Sequence, residues 1–343
     1  MNSARLGSQT VKLIRTPSVL ASASAGGKLE GEGPLRESFD YLCGDSYFGE
    51  KSWESAESAM LKTCYELALA KARLNSSAIN YLFSGDLLNQ CVGSAFAAKD
   101  SSVPYFGLYG ACSTMAESLS LAAIAVDGWY ADTVCALTSS HFCSAERQFR
   151  TPLAYGGQRT PTAQWTATAA GAVIVTREGN GPYITHLTTG KIVDGGVKDA
   201  NNMGAAMAPA ALETLCAHFE DTGRSPDYYD LIVTGDLGSV GHEIVVELAA
   251  QNGADLSKNY NDCGLMLYDR EKQDVHAGGS GCGCSASVLA GYLLPKVKSG
   301  EIKRLLFAAT GALMSPTTTM QGDSILGICH AVAIEKDKPA FGN

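Results

Sequence analysis

The sequence contains no uninterrupted apolar run near the ~20 residues that a membrane-spanning helix needs. Its first residues also lack the apolar core of a secretory signal peptide. Charged residues make up only 18% of the 343 residues, Lys and Arg do not cluster, and the formal net charge is −9 at pH 7. Because proteins that bind nucleic acids rely on clustered cationic side chains, this composition argues against a nucleic-acid partner. We therefore expect a protein that is made and kept on the cytosolic side.

Paired cysteine spacings of the kind found in zinc sites are also missing. The chain has eleven cysteines, an odd number scattered through apolar segments, which fits a reducing compartment better than a disulfide framework. Cys282 and Cys284 are separated by one glycine, which is not a zinc spacing, and no suitable pair of histidines accompanies them. We expect neither a bound metal ion nor a cofactor.

The chain instead contains an internal repeat. A helical pattern followed by a short apolar strand ends just before Asp86, and the same order of elements returns before Asp236, at an offset of 236 − 86 = 150 residues. A fixed offset of this kind indicates duplicated architecture. The predicted helices are 53–72 and 205–219, and the predicted strands that follow them are 79–83 and 229–233.

The repeat continues toward the end of each half. Cys112 and Cys284 each head a helix of small residues, and each is followed 26 residues later by a threonine that closes a strand. Alternating helices and apolar strands predict an α/β protein whose sheets are covered by helices, in two halves spanning 1–182 and 183–343. The halves differ at two insertions, predicted as an extra strand pair in 260–275 and a polar loop from His141 to Trp165.

Cys112 is the residue on which a functional interpretation depends. At a helix N-terminus, unpaired N–H groups and the helix dipole lower a thiol pKa and create an anion site. The alternative is a packed small hydrophobe, since free cysteine is among the most buried residue types.

Ten motifs spread over the chain resemble the thiolase fold superfamily, which includes the β-ketoacyl synthases, and more closely the SpoVAD family of sporulation proteins. They are 31–35 (GEGPL), 51–54 (KSWE), 84–90 (SGDLLNQ), 110–114 (GACST), 138–141 (TSSH), 145–150 (AERQFR), 155–158 (YGGQ), 203–209 (MGAAMAP), 262–264 (DCG) and 277–282 (AGGSGC). The resemblance implies a thiolase-like five-layer fold of two βαβαβαββ halves related by a pseudo-twofold axis. It also implies a nucleophilic cysteine at Cys112 and a homodimer.

For the SpoVAD family, the resemblance further implies binding of dipicolinic acid (pyridine-2,6-dicarboxylate) and its transport into the developing spore. The implied partners are integral-membrane SpoVA proteins, with the chain attached peripherally to the spore inner membrane on the cytosolic side of the forespore.

Condensing chemistry in thiolase-like enzymes needs a second-half histidine beside the cysteine. The corresponding strand end here contains Thr234, Gly235 and Asp236, and Cys282 or a neighbour stands where an asparagine is often found. We therefore expect a binding protein and not an enzyme. The alternatives are an acyl transferase that uses Cys112 as nucleophile, and a structural subunit with a vestigial pocket.

A small dianion needs cationic or N–H donors at both ends. The N–H groups of Cys112 and Ser113 are expected at one end, and His141, Arg147 or Arg150 at the other. The candidate ligand-binding residues are Asp86, Cys112, Ser113, Ser139, Ser140, His141, Arg147, Arg150, Asp236 and Cys284.

Several of these residues have a structural alternative. His141 could bond a buried carbonyl group, and one of the two arginines could pair with an acid on the surface. Asp86 and Asp236 repel a dicarboxylate, so they are expected to hold the pocket backbone, unless Ca²⁺ travels with the ligand.

Overall fold

The computed structural model describes residues 4–149 and 159–339. Within these ranges the strands are β1 Thr10–Lys12, β2 Ser18–Gly26, β3 Tyr41–Leu42, β4 Tyr81–Gly85, β5 Tyr105–Gly107, β6 Thr133–Ser140, β7 Trp165–Thr166, β8 Ala169–Thr176, β9 Tyr183–Thr188, β10 Val193–Asp194, β11 Leu231–Thr234, β12 Tyr260–Asp262, β13 Gly279–Ser280, β14 Arg304–Leu313 and β15 Leu326–Glu335. The α-helices are α1 Trp53–Ala72, α2 Val92–Ala98, α3 Thr114–Asp127, α4 Phe142–Phe149, α5 Met203–Thr222, α6 Gly238–Gln251, α7 Cys263–Leu267, α8 Cys282–Val288, α9 Leu294–Ser299 and α10 Pro316–Met320. A π-helical turn, Leu289–Leu293, joins α8 to α9.

The main sheet shows the duplication directly. Its strands follow the order β12-β11-β14-β15-β9-β2-β8-β6-β4-β5, so the first half supplies β2-β8-β6-β4-β5 and the second supplies β9-β15-β14-β11-β12. In both halves the outer pairings, β5-β4-β6 and β12-β11-β14, are parallel, and the inner pairings are antiparallel. The halves meet where Ser18 lies opposite Tyr183.

Helices cover both faces of this arrangement. α1 packs on β2, β8 and β6, and α5 packs on β14 and β15. Between the two halves lies α3, which contacts β4 and β6 on one side and β14 and β15 on the other, and α8 lies beside it. The layers are α1, the first-half strands, α3 with α8, the second-half strands, and α5, which confirms the predicted thiolase-like α/β fold class.

Two glycines let α8 approach the first-half strands closely. A Cβ atom at Gly283 would lie 2.1 Å from the Ala169 carbonyl oxygen, and one at Gly171 would lie 2.2 Å from the Ala286 carbonyl oxygen. Neither distance is compatible with a side chain. This backbone contact places the start of α8 beside the end of β6.

The repeating elements lie where the sequence predicts them, with α1 matching 53–72 at both ends. The predicted strand pair in 260–275 is wrong, because this segment forms β12 and then α7. Asp262 caps α7 by accepting a hydrogen bond from the Gly264 N–H. The polar loop expected after His141 begins instead with α4, whose Phe142, Ala145 and Phe149 recur at helical spacing.

None of the helices in the described ranges has the length and apolar character to cross a lipid bilayer.

Candidate functional site

Cys112 lies in a tight turn between β5 and α3. Ala111, immediately before it, has a φ of 49°, in the left-handed region. Both the Ser113 N–H and the Ser113 hydroxyl donate to the Gly110 carbonyl oxygen, at 3.0 and 2.6 Å. The expectation that the Ser113 N–H binds an anion is therefore wrong in this conformation, because the turn already uses that donor.

The Cys112 thiol faces a carboxyl group. Cys112 is only 6% exposed. Burial and the neighbouring Asp236 carboxyl raise the pKa of the thiol well above its ordinary value. The prediction that a helix N-terminus lowers this pKa is wrong, since desolvation and a nearby negative charge both disfavour the thiolate.

Asp236 is anchored by three other groups. Its Oδ1 accepts a hydrogen bond from Thr310 Oγ1 at 2.8 Å, and its Oδ2 accepts from the Gly281 N–H at 2.8 Å and from Ser280 Oγ at 3.3 Å. Burial raises the pKa of the Asp236 carboxyl. The residue thus ties the end of β14 to the start of α8, as its structural alternative predicts.

The pseudo-twofold arrangement repeats this pairing with the halves exchanged. Cys282 opens α8 and donates from Sγ to the Ser139 carbonyl oxygen at 3.0 Å. Burial raises its pKa, as do Cys112, Glu57 and Asp86 nearby. The charge of Asp86 thus disfavours the Cys282 thiolate, as that of Asp236 disfavours the Cys112 thiolate, although the Cys282 thiol bonds to a carbonyl oxygen and not to a carboxyl group.

Cys284 is not the counterpart of Cys112. α8 begins at Cys282, so Cys284 lies within the helix and not at its head. It is fully buried beside Cys263 and Tyr268 and does not line the cavity at Cys112. The equal 26-residue spacing predicts a helix that begins at Cys284, but α8 begins two residues earlier, at Cys282.

Asp86 lies in a buried network with Glu57. Asp86 Oδ1 accepts from the Leu88 N–H at 2.8 Å, and Oδ2 accepts from the N–H and the hydroxyl of Ser94, both at 2.7 Å. Glu57 accepts from Ser139 Oγ at 3.0 Å and from Ser144 Oγ at 2.8 Å. Burial and the Asp86 charge raise the pKa of Glu57 to about 8, so Glu57 is mainly protonated at neutral pH.

Glu57 was not among the candidate residues. Its position on α1 carried a signal, because it lies four residues before Leu61 and seven before Cys64, on the buried stripe of the helix. A glutamate on such a stripe indicates a hydrogen-bonded buried carboxyl group.

A narrow cavity of about 30 Å³ opens beside Cys112. Its lining residues come from both halves and are Leu87, Tyr109, Ala111, Cys112, Ala145, Glu146, Phe149, Thr166, Met203, Ser280, Ala312 and Met314. Pairing of β7 with β13 sets Thr166 opposite Ser280, and Thr166 Oγ1 donates to Glu146 at 2.9 Å. Among the described residues, no Lys or Arg lines this space.

His141 and the first-half serines hold the backbone. Cys143 N–H donates to His141 Nδ1 at 3.2 Å, which leaves Nε2 to donate to the Ser46 carbonyl oxygen at 2.8 Å. Burial lowers the pKa of His141, so the ring is neutral. Ser140 Oγ donates to the Ala167 carbonyl oxygen at 2.7 Å, and Ser139 donates to Glu57.

The two candidate arginines are placed differently. Arg147 forms an ion pair with Glu54 and stacks over Trp53 at 5.2 Å, with about half of its side chain exposed. It does not line the cavity. Arg150, which the sequence also nominates, lies outside the described residues. A role of either arginine in ligand binding stays a prediction.

No imidazole is available to activate Cys112. All six histidines lie in the described ranges, and none lines the cavity. His242, the nearest in sequence to the strand end at Asp236, stacks on Tyr260 at 4.6 Å. Within residues 4–149 and 159–339 no group of three His, Cys, Asp or Glu side chains could hold a metal ion. Among the described residues, the group beside the thiol is therefore the carboxyl group of Asp236 and not an imidazole.

Comparison with solved structures shows the fold. 3-Oxoacyl-[acyl-carrier-protein] synthase III from Aquifex aeolicus VF5 is 13% identical and has a TM-score of 0.57, with 93% of this chain and 99% of that chain covered. Cerulenin-bound OleA of Xanthomonas campestris is also 13% identical with a TM-score of 0.57, over 93% of this chain and 97% of that chain. At such identity the likeness concerns the thiolase-like fold alone.

Comparison of sequences gives the family. The family described as "Stage V sporulation protein AD (SpoVAD)" matches residues 7–335. Stage V sporulation protein AD of Bacillus subtilis (strain 168) is 41% identical over 330 residues, which cover 96% of this chain and 97% of that protein. This chain, with a thiol facing a carboxyl group inside a thiolase-like fold, therefore belongs to the SpoVAD family of sporulation proteins.

Proposed function

We propose that this protein binds dipicolinic acid without transforming it, as the soluble component of the machinery that takes this compound into the developing spore. The observation that carries the proposal is the carboxyl group of Asp236 beside Cys112, where a condensing enzyme needs an imidazole. A carboxyl group in a buried site disfavours the thiolate, so the chemical step loses its nucleophile. Membership of the SpoVAD family supports the link to sporulation.

The cavity beside Cys112 is the proposed ligand site. Thr166 and Ser280 line the space, and their hydroxyl groups, which donate to Glu146 and Asp236 in this conformation, must turn to donate to a carboxylate. The rings of Tyr109 and Phe149 flank the space on its apolar sides. A volume of about 30 Å³ holds about one or two water molecules, so the ligand must widen the cavity. Phe149 ends α4, and we propose that Arg150, which follows it, supplies the cation.

We also propose that the protein acts at the cytosolic side of the spore inner membrane together with integral-membrane SpoVA proteins. Family membership is the support for this assignment.

A homodimer through β5 is the proposed assembly. β5 is an edge of the main sheet, and its Phe106 side chain is 50% exposed. Tyr109 and Phe96, close in sequence, are also exposed, at 43% and 57%. An exposed edge strand with aromatic side chains is a template for pairing with a second chain.

Isothermal titration of the purified protein with dipicolinate tests the binding function. We expect saturable binding, weakened at least about tenfold by Ala312→Phe, because the added ring fills the cavity. Cys112→Ala is the informative partner variant, since a thiol that does no chemistry is dispensable for binding. Circular dichroism of both variants reports whether they fold.

A flat titration of the wild type would contradict the proposal. Transfer of an acyl group to Cys112 from acyl-CoA, seen as a mass increase absent from Cys112→Ala, would favour the acyl transferase instead.

A further inference from the structure

An exposed patch of aromatic and aliphatic side chains lies where α3 ends. Cys112 lies two residues before the start of this helix, and 14 helical residues span about 21 Å, so the patch is remote from the cavity. Four of its side chains are between 43% and 75% exposed, and two arginines stack over its tryptophan. The residues of this Trp129 patch are Ile14, Arg15, Ile124, Trp129, Tyr130 and Arg177.

Three segments of the chain meet in the Trp129 patch. Asp127, the last residue of α3, accepts hydrogen bonds from the backbone N–H groups of Ile14 and Arg15 at 3.2 and 2.6 Å. The guanidinium groups of Arg15 and Arg177 lie 5.0 and 4.3 Å from the centre of the Trp129 ring. The turn before β2 and the residue after β8 therefore border the end of α3 directly.

The backbone of the patch departs from the conformation that its residue types prefer. Gly128 has a φ of −77°, whereas Trp129 has a φ of 66°, in the left-handed region. The left-handed residue after a helix is usually glycine, and a bulky residue in this conformation is strained. A Cβ atom at Gly128 would lie 2.7 Å from the Tyr130 ring, so glycine is needed where it stands, one turn beyond Ile124. Strain that keeps two aromatic rings at the surface indicates a function for them.

The charges of the patch suit an approach to anionic groups. Arg177 pairs with Asp132 at 2.7 Å. The Arg15 guanidinium donates to the Asp127 carbonyl oxygen at 2.6 Å, and its other N–H groups remain for a further acceptor. The whole chain has a net charge of −9, whereas the two arginines balance Asp127 and Asp132 here. This surface can therefore approach lipid phosphates without the repulsion expected for an acidic protein.

We propose that the Trp129 patch binds the headgroup region of a phospholipid bilayer directly. The two aromatic rings enter the headgroup layer, the two isoleucines extend toward the acyl chains, and the arginines contact lipid phosphates. Tryptophan and tyrosine favour the membrane interface because each combines an apolar ring with a polar group. Protruding rings at a helix end suit a lipid surface better than a protein partner, because protein interfaces bury their aromatic anchors in packed pockets.

This inference rests on the proposed action at the spore inner membrane, and it adds direct contact with lipid to the attachment through SpoVA proteins. The cavity at Cys112 lies at the other end of α3. A molecule bound through the Trp129 patch therefore holds its proposed ligand site away from the lipid, and vesicle binding is measured independently of dipicolinate binding.

Flotation of the full chain with vesicles of equal parts phosphatidylglycerol and phosphatidylcholine tests the proposal. We expect the wild type to float with the vesicles at low salt, and Trp129→Gly to bind at least about tenfold more weakly, because the buried ring area is lost. Trp129→Gly should fold, since glycine adopts a φ of 66° without strain. Arg15→Gln should weaken binding about fivefold at low salt and have little effect at high salt, as expected for one cation near the surface.

Trp53→Phe is the matched control, because Arg147 stacks over Trp53 at 5.2 Å. Trp53 begins α1 near Glu57, which bonds Ser139 at the end of β6, whereas Trp129 precedes the start of that strand. Trp53→Phe should float like the wild type. Its tryptophan emission should shift to shorter wavelength when vesicles are added, because Trp129 leaves water.

A wild type that stays in solution beside the vesicles would overturn the proposal, as would a Trp129→Gly variant that floats equally well. If the wild type binds dipicolinate in the titration but does not float, the membrane contact is refuted while the ligand-binding function stands. Circular dichroism of each variant verifies that it is folded.

Discussion

The protonation state of the Cys112 thiol depends on three effects. The helix N-terminus favours the thiolate, whereas burial and the Asp236 carboxyl group favour the neutral thiol. Dipole effects at a helix N-terminus are modest, at about 0.3–1 kcal/mol for exposed groups. Burial of an ionised group and the approach of a second negative charge are larger effects in a low-dielectric site. Because Cys112 is buried against Asp236, the neutral thiol prevails.

Substitution of Asp236 should therefore make Cys112 more reactive. In Asp236→Asn the negative charge is gone, and the amide oxygen can keep the hydrogen bond from the Gly281 N–H. The amide nitrogen then replaces the oxygen that accepts from Thr310, whose hydroxyl can turn to accept instead. We expect alkylation of Cys112 by iodoacetamide at pH 8 to accelerate roughly tenfold, which corresponds to a fall of about one pKa unit. Peptide mapping by mass spectrometry separates Cys112 from the half-buried Cys43, Cys143 and Cys216.

The exposed Asp323→Asn variant is the control for this reaction and should alkylate like the wild type. An unchanged or slower reaction in Asp236→Asn would mean that Asp236 does not suppress the thiolate.

Between elements, Glu57 is the connection that links α1 to the wall of the cavity. Its carboxyl group receives hydroxyl hydrogen bonds from Ser139 at the end of β6 and from Ser144 on α4. α4 also carries Ala145, Glu146 and Phe149, which line the cavity. The position of this wall therefore depends on a carboxyl group that is mainly protonated at neutral pH.

This protonation predicts a pH dependence of stability. The pKa of Glu57 is about 8 in the folded protein, against an ordinary value of 4.5, so the folded state binds the proton more tightly than the unfolded state. Its contribution is fully present below pH 4.5 and is lost as the pH rises through about 8. We expect the free energy of unfolding of Glu57→Gln to fall less over this range than that of the wild type, by on the order of a few kcal/mol.

Urea unfolding at intervals from pH 5 to 9 measures the difference between the two proteins. Glu66→Gln, at an exposed residue of α1, is the matched control and should follow the wild-type curve. Parallel curves for Glu57→Gln and the wild type would show that Glu57 is ionised in the folded protein.

For the whole molecule, the sheet edge at β5 leads to a prediction about the oligomeric state. Phe106 is half exposed on this strand and stacks on Phe83 at 5.1 Å. We expect the wild type to have twice the mass of one chain in light scattering, and Phe106→Glu to be monomeric, because a buried unpaired charge at the interface is costly. Ile192→Glu, at a residue that is 55% exposed elsewhere, is the control.

A monomeric wild type, or a Phe106→Glu variant that remains dimeric, would exclude an interface at β5.

The helices and strands, and their repetition in two halves, can be predicted from the linear sequence. The ends of α1, the offset that relates Asp86 to Asp236, and the strand before each aspartate depend on periodicity and on residues close together along the chain. These features are visible in a linear pattern, and the structure places them as predicted. The motifs around Cys112 also pointed to the fold class, because they recur over the whole length of the chain.

The contacts of each site residue, in contrast, depend on how the two halves pack together. Cys112 meets Asp236 from the other half, Glu57 is buried against two serines from β6 and α4, and Cys282 takes the place expected for Cys284. These neighbours are brought together by packing of the two halves, and no local pattern encodes distances across that interface. The protonation state of a group cannot be predicted from the linear sequence either, because desolvation and nearby charge depend on its folded surroundings and not on its residue type.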